Sequence, residues 1–204
     1  EKADFSVFKS SKFIIIWLIF FFNICAGISI ISFQSPLLQD LLHALKPQLG
    51  TAELAAAGAM LIGVSSLFNG LGRFFWGAMS DRIGNIKVFR VMFLSQIVAF
   101  LILMNVKNGW MFSGAVCYIL LCYGGGFGSM PSFISNVFGA KRMALVYGAV
   151  LTAWSMGGIA GPQIAAIVRD RATSDSAGYI TFAVSAVMLA AGFLCTLINL
   201  ESEK

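Results

Sequence analysis

Long uncharged runs of apolar residues constrain the fold of this chain more than any other feature of its sequence. The first run carries no charged residue from Phe13 to Gln39, and five comparable runs follow it. A segment of about 20 apolar residues is long enough to cross a bilayer core roughly 30 Å thick. Charged residues make up only 11% of the 204 residues, whereas a soluble domain has about 25%. These proportions exclude a disordered chain and argue strongly against a soluble one.

Six membrane-spanning segments fit a chain of this length once their connections are included. Lipid offers the backbone no hydrogen-bonding partners, so segments of this kind are expected to be α-helices. The runs do not show the alternating pattern of β-barrel strands. We therefore predict an all-α integral membrane fold with six transmembrane helices, at about residues 13–39, 52–80, 88–106, 109–138, 143–168 and 178–200.

The positions of the basic residues predict the orientation of these spans. Of the 14 lysines and arginines, four fall on the side of the first, third and fifth connections: Lys46, Lys107, Arg169 and Arg171. The other ten fall on the side of the two chain ends: Lys2, Lys9, Lys12, Arg73, Arg82, Lys87, Arg90, Lys141, Arg142 and Lys204. Because cytoplasmic connections carry the excess of basic residues, both chain ends are predicted to be cytoplasmic, in a multi-pass protein of the cell membrane. This clustering also accounts for the net charge of +5 without a nucleic-acid partner.

The sequence offers no recognisable set of catalytic or metal-binding residues. The four cysteines, Cys25, Cys117, Cys122 and Cys195, lie within apolar runs and form no C-x-x-C pair, so we interpret them as buried free thiols. The single histidine, His43, lies in a polar stretch and is predicted to be a solvated loop residue. We therefore predict no enzymatic activity, no metal and no cofactor.

Arg73 is a charged residue deep inside the second apolar run. It lies eight residues before Asp81, which places it about 12 Å from the membrane interface along a helix. The midplane of the hydrocarbon core is about 15 Å deep. Arg73 either extends its side chain to the headgroups or faces an aqueous cavity and binds a substrate carboxylate with its planar guanidinium. Intramembrane charges are costly and usually functional, which favours the second interpretation.

Several stretches of the sequence resemble those of a known transporter family. The connection from Gly77 to Lys87 has the sequence GAMSDRIGNIK. It is similar to the cytoplasmic signature of the major facilitator superfamily, except that Asn85 and Ile86 replace two consecutive basic residues. The stretches 68–77, 122–131 and 147–162 resemble the oxalate/formate antiporter family within that superfamily, and the similarity extends over nearly the whole chain.

The resemblance implies an architecture of two six-helix halves around a central cavity that opens alternately to each side. Residues 13–200 would be the second half of such a twelve-helix transporter, and the first half of the same protein would be its partner. Residues 1–12 would be the end of a cytoplasmic linker between the halves, and residues 201–204 a cytoplasmic tail. The general logic of paired repeats with a site near the bilayer midplane agrees with this arrangement.

The resemblance also implies roles for two sets of residues. Arg73 lies where the family has a ligand of the substrate anion. Asp81 and Arg82, with Gly77 and Gly84, match a conformational latch that holds one state of the transport cycle. The alternative for this set is a solvated turn that only determines topology, since exposed ion pairs contribute little stability.

Aromatic residues on two later spans are further candidates for the cavity wall. Tyr123 and Phe127 are four residues apart and therefore share a helix face. The resemblance implies that Trp154 takes the position at which oxalate-selective family members have a lysine. Each of these rings either lines the cavity or packs against lipid and other helices. The glycines nearby are predicted to allow close helix packing: Gly124, Gly128, Gly157 and Gly161.

These features lead to one preferred function and two alternatives. We predict secondary transport of small organic anions, with a monocarboxylate such as formate, lactate or pyruvate as substrate, because one guanidinium matches one carboxylate. The first alternative is oxalate/formate exchange. The second is a non-transporting membrane protein, either a sensor or a six-helix channel subunit.

Overall fold

The computed structural model describes residues 5–171 and 174–198, with the backbone alone for residues 165, 168, 169, 171 and 174–177. A short 3-10 helix, Phe5–Lys9, precedes the α-helices. These are α1 Ser11–Leu45, α2 Thr51–Ile83, α3 Asn85–Met104, α4 Gly109–Phe138, α5 Ala140–Arg171 and α6 Ser174–Cys195. Each of the six contains a segment long and apolar enough to cross a membrane. The predicted all-α fold with six transmembrane helices is confirmed, and the predicted tail at 201–204 lies outside the described residues.

Single glycines separate two of the helix pairs. Gly84 lies between α2 and α3 with φ 92°, and Gly139 lies between α4 and α5 with φ 84°. Glycine adopts this left-handed region without the steric penalty of a side chain, so each helix starts immediately after the previous one ends. Both glycines lie at the end of the bundle that also holds Ser11, which is called the terminal end below. The opposite end holds the α1–α2 and α3–α4 connections.

The prediction that His43 lies in a connecting loop is wrong. Helix α1 continues past Asp40 to Leu45, and His43 lies in its last turn with an exposed side chain. No glycine or proline interrupts the chain between Asp40 and Lys46, so the helix persists until Pro47 disfavours helical backbone at the residue before it. The apolar run thus marks the possible membrane segment, whereas the helix itself is longer.

Helices α1 and α4 occupy the centre of the bundle. The most extensive packing is between α2 and α4, between α1 and α5, and between α3 and α6, while α1 also contacts α4 and α6. Large aromatic side chains fill the space between these helices and are fully buried: Phe20, Phe89, Phe93, Phe100 and Phe133. Helix α2 therefore packs mainly on α4, and α5 packs mainly on α1.

Two glycines of α4 bring its backbone against that of α2. A Cβ atom added at Gly128 would overlap the carbonyl oxygen of Arg73, and one added at Gly124 would overlap that of Asn69. Small residues permit this close approach of helix backbones in membranes. The segment of α2 that carries Arg73 is therefore positioned by direct backbone packing on α4.

The glycines of α5 make a similar contact with α1. A Cβ atom at Gly157 would lie 2.7 Å from Cγ2 of Ile24, and one at Gly161 would lie 2.9 Å from the carbonyl oxygen of Cys25. Both distances are shorter than real Cβ contacts tolerate without movement of the neighbour. The packing role predicted for these glycines thus corresponds to two close helix pairs, α2 with α4 and α1 with α5.

Buried polar side chains join α1 to three other helices. The Ser65 hydroxyl of α2 donates to Oε1 of Gln34 at 2.8 Å. The hydroxyls of Ser29 and Ser185, on α1 and α6, lie 3.1 Å apart. Nε2 of Gln96 on α3 donates to Oδ1 of Asn23 at 3.2 Å, in the interior of the bundle. Interhelical hydrogen bonds of this kind help to fix helix positions where lipid cannot provide partners.

Candidate functional site

Arg73 presents its guanidinium on the surface of the six-helix unit, beside an aromatic residue of α4. Its guanidinium carbon lies 5.3 Å from the centre of the Phe127 ring, within the range of a cation–π interaction. Within the described part of the chain, the guanidinium makes no hydrogen bond or ion pair. All five of its N–H donors therefore remain available to an anion.

Phe127 is the centre of an aromatic cluster that spans three helices. Its ring packs edge-on against Tyr123 of α4 at 5.4 Å between centroids, and against Trp154 of α5 at 6.1 Å. It also packs edge-on against Phe20 of α1 at 5.1 Å. The structure thus brings together all four residues that the sequence suggested for substrate binding, with Arg73 on a further helix.

The members of this cluster differ in how far they are exposed. Tyr123 is only 6% exposed, and its ring fills the space above Gly27 of α1, where a Cβ atom would overlap it. Trp154 is 48% exposed, on the same side of the unit as Arg73. Two residues before Trp154, Oγ1 of Thr152 accepts from Nε1 of Trp17 at 2.9 Å, which joins α1 to α5. Tyr123 and Phe127 thus form a fixed base, and Arg73 and Trp154 provide accessible surface.

Phe20 belongs to this cluster but was not a candidate in the sequence. It lies in a run of consecutive apolar and aromatic residues, and nothing in that run distinguishes it from its neighbours. Its position becomes specific only through the packing of α1 against α4. No periodic or compositional signal in the first run would have identified it.

The chemistry of the cluster suits a small anion with an apolar part. A guanidinium forms paired hydrogen bonds with a carboxylate in a fixed planar geometry. The aromatic rings around it offer apolar surface and only a few polar groups. Sites for small molecules commonly combine an apolar lining with a few precisely placed polar groups.

The residues suggested as a latch lie at the terminal end of α2. Asp81 and Arg82 have exposed side chains and form no ion pair within the described residues. Gly77 faces α4, where a Cβ atom would be 3.6 Å from the carbonyl oxygen of Gly128, an ordinary contact. Gly84 ends α2 with its positive φ. The structure therefore leaves Asp81 and Arg82 accessible and does not bring them onto the rest of this unit.

Asn85 organises the same turn and was not predicted as a functional residue. It is buried, and its Nδ2 donates to the hydroxyls of Ser80 and Ser132, each at 2.5 Å. Its Oδ1 accepts from Nδ2 of Asn136 at 2.6 Å. These bonds fasten the α2–α3 turn to the last turns of α4. Asn85 stands at a position where the superfamily signature has a basic residue, and that departure was the available signal.

The potential metal ligands of the described residues do not come together in groups. No three side chains among His, Cys, Asp and Glu there are grouped in a way that would hold an ion. All four cysteines are free; Cys25, Cys117 and Cys122 are buried as predicted, whereas Cys195 is only partly buried. Cys195 differs from the prediction because it lies in the last turn of α6, where packing against other helices ends.

Comparison with known proteins now gives the family of this chain. The sequence profile of the Major Facilitator Superfamily matches residues 1–162. The six membrane-spanning helices agree with this match, and the chain belongs to the major facilitator superfamily. The superfamily resemblance drawn from the sequence is confirmed.

Two relatives and one solved structure refine this result. The Oxalate:formate antiporter of Oxalobacter formigenes is 27% identical over 186 residues, which are 89% of this chain and 42% of that protein. The uncharacterized MFS-type transporter YhjX of Escherichia coli K12 is 25% identical over 162 residues, 78% of this chain and 38% of that protein. The chain thus spans less than half the length of the curated relatives it matches.

The structural comparison concerns the fold alone. A bacterial homolog of the human lysosomal transporter Spinster, in an inward-facing and unoccupied conformation, superimposes with a TM-score of 0.64. It is 17% identical, and the match covers 96% of this chain and 50% of that one. The six helices described here therefore correspond to about half of a transporter of this fold.

Proposed function

We propose that this chain is the second six-helix half of a twelve-helix secondary transporter that moves small organic anions across the cell membrane by alternating access. The observation that carries the proposal is the accessible guanidinium of Arg73, without an ion pair in the described residues and resting on the ring of Phe127. A charge of this kind inside a membrane-spanning segment is costly unless an anion or water compensates it. One six-helix unit supplies one wall of the cavity, so transport requires the first half of the protein.

The preferred substrate in this proposal is a monocarboxylate such as formate, lactate or pyruvate. Arg73 binds the carboxylate through paired hydrogen bonds, and Tyr123, Phe127 and Trp154 contact the remaining apolar part. A dicarboxylate brings a second charge out of water, and that charge needs its own cation or strong donors. Arg73 is the one cation beside the aromatic cluster among the described side chains, which favours a singly charged substrate.

The substrate class is tested with the full-length transporter in liposomes. Uptake of labelled formate, lactate and pyruvate is measured against uptake of labelled oxalate at equal concentration and equal membrane potential. The proposal expects at least one monocarboxylate to be taken up faster than oxalate. Oxalate uptake that exceeds all three would contradict it. A steady ion conductance of this chain alone would instead support the channel alternative.

Oxalate/formate exchange is the second candidate because a 27% identical relative is named Oxalate:formate antiporter. The family resemblance places a lysine of oxalate-selective members at the position of Trp154. Trp154→Lys adds a second cation at the partly exposed edge of the cluster, and Trp154→Met removes the ring without adding a charge. If the cluster binds the substrate, only the lysine variant gains oxalate uptake relative to formate. An equal change of the oxalate-to-formate uptake ratio in both variants would show that a charge at position 154 does not determine selectivity.

The proposal also assigns an orientation and a latch. The latch consists of Asp81 and Arg82, with Gly77 and Gly84, which contact the first half of the protein in one state of the cycle. In the proposed orientation, both chain ends are cytoplasmic.

The orientation is tested in cells with a cysteine-free background. Gln48→Cys and Lys107→Cys should react with an impermeant thiol reagent from outside, whereas Lys87→Cys and Lys141→Cys should not. The reverse pattern would overturn the orientation.

A further inference from the structure

A crevice of about 620 Å³ opens at the end of the bundle opposite the terminal end. It lies where the last turns of α1, the first turns of α2 and the start of α4 diverge. Its inner wall is mainly apolar and includes Leu38, Leu42 and Leu61, with Ala57 on α2. None of the four residues suggested for substrate binding lines it. The crevice is thus a separate feature from the aromatic cluster around Phe127.

The mouth of this crevice is basic. Lys46 follows the end of α1, and Lys107 lies in the connection between α3 and α4; both are exposed and both line the opening. The lining residues include no aspartate or glutamate. Trp110 stands beside the lysines with 84% of its surface exposed. Two cations and a tryptophan thus surround the entrance to an apolar space at one end of the membrane-spanning helices.

We propose that this crevice binds one phospholipid with an anionic headgroup. The phosphate lies between Lys46 and Lys107, one acyl chain occupies the apolar crevice, and Trp110 lies at the level of the headgroups, where tryptophan is enriched in membrane proteins. The attraction between two ammonium groups and a lipid phosphate is a direct charge interaction and does not depend on which leaflet supplies the lipid. Lysine also suits the membrane interface because its stem packs on apolar surface while the ammonium reaches the headgroup.

The combination of charge and apolar depth favours a lipid over other anions. A small aqueous carboxylate would satisfy the lysines but leave the leucine-lined wall uncovered. A zwitterionic lipid would fill the wall but bring a positive group to a mouth that already carries two ammonium groups. An anionic phospholipid matches both parts of the crevice at once, the basic mouth and the apolar wall.

The charge arm of the test uses the full-length transporter and native mass spectrometry. The protein is equilibrated with equal amounts of phosphatidylglycerol and phosphatidylcholine that carry the same acyl chains, and the lipids that remain bound are counted. The wild-type protein should retain phosphatidylglycerol preferentially. In the double variant Lys46→Gln/Lys107→Gln, the ratio of bound phosphatidylglycerol to bound phosphatidylcholine should fall at least fivefold. The matched control, Lys9→Gln/Lys141→Gln, neutralises two exposed lysines at the terminal end and should keep the wild-type ratio.

The chain arm tests the apolar wall independently of charge. Ala57→Phe places a large side chain inside the crevice, whereas Ala56→Phe places the same side chain on the neighbouring exposed position, which does not line it. Phosphatidylglycerol retention should fall in Ala57→Phe and remain unchanged in Ala56→Phe. Unchanged phosphatidylglycerol retention in Lys46→Gln/Lys107→Gln, or equal retention in the two alanine variants, would overturn the proposal. The crevice would then be a contact site for a segment of the other half of the protein.

Discussion

The guanidinium carbon of Arg73 lies 5.3 Å from the centre of the Phe127 ring, while the carbonyl oxygen of Arg73 packs against the next residue of α4, Gly128. Two consecutive residues of α4 thus hold the side chain and the backbone of the same arginine. Phe127 in turn packs against Phe20 and Trp154, on α1 and α5. A displacement of any of these helices would therefore change the position of the Arg73 guanidinium, which we propose as the anion ligand.

Removal of the Phe127 ring should weaken substrate binding. Cation–π contacts contribute about 0.5–2 kcal/mol, so Phe127→Leu should raise the KM for the preferred monocarboxylate by roughly twofold to 30-fold. Phe127→Tyr keeps the ring and should stay close to wild type. The control is Phe74→Leu, which shortens an exposed neighbour of Arg73 that forms no ring contact within the described residues. An unchanged KM in Phe127→Leu would show that the Phe127 ring does not contribute to substrate binding.

A methyl group at Gly128 should move Arg73. The added Cβ in Gly128→Ala would overlap the Arg73 carbonyl oxygen, and overpacking of this kind costs about 1–3 kcal/mol. Transport should fall severalfold, and the thermal midpoint of the purified transporter should drop by several degrees. Gly114→Ala lies on the same helix with nothing near its Cβ position and should change neither quantity. Similar behaviour of the two variants would argue against backbone packing as the device that positions Arg73.

Sequence alone was sufficient for the parts of this fold that follow from solvation. Charged residues delimit the apolar runs, and lipid forces each run into a helix, so the six spans could be predicted without any tertiary information. Helix ends were less predictable, because they depend on local backbone rules rather than polarity. Helix α1 passes Asp40 and includes His43, and a single residue, Gly84, separates α2 from α3.

Members of the candidate site could be suggested from the sequence where a residue is unusual for its surroundings. Arg73 stands out as a charge in an apolar run, and Trp154 was suggested only by the family resemblance. Phe20 and Asn85 could not be identified in this way. Phe20 is one apolar residue among many, and the hydrogen bonds of Asn85 to Ser132 and Asn136 join segments that are remote in the sequence. Their partners depend on how the helices pack.

Two neighbouring residues at the α2–α3 turn should respond differently to substitution. Asp81 is exposed and without an ion pair in the described residues, so Asp81→Asn should leave the thermal midpoint unchanged while it slows turnover and shifts the balance of inward-facing and outward-facing states. Asn85→Ala removes three hydrogen bonds, of which the one to Ser80 is buried and the other two are partly buried. A buried polar group left without its partner costs about 1–3 kcal/mol. Asn85→Ala should therefore lower the thermal midpoint.

The comparison is made with purified full-length protein, by thermal unfolding and by accessibility of labelled cysteines on each side of the membrane. If Asp81→Asn has the same transport kinetics as the wild type, then Asp81 and Arg82 do not act as a latch and only help to determine topology. A stable Asn85→Ala variant would mean that water or other side chains replace the Asn85 bonds.

Transport by Arg73 variants tests the central claim most directly. Initial uptake of the preferred monocarboxylate is measured in liposomes for the wild type, Arg73→Lys, Arg73→Gln and the control Lys141→Gln, at equal amounts of inserted protein. Arg73→Gln should abolish uptake, Arg73→Lys should retain a weak activity because it keeps the charge but loses the planar fork, and Lys141→Gln should match the wild type. Full activity in Arg73→Gln would contradict the account, because the proposed anion ligand would then be dispensable.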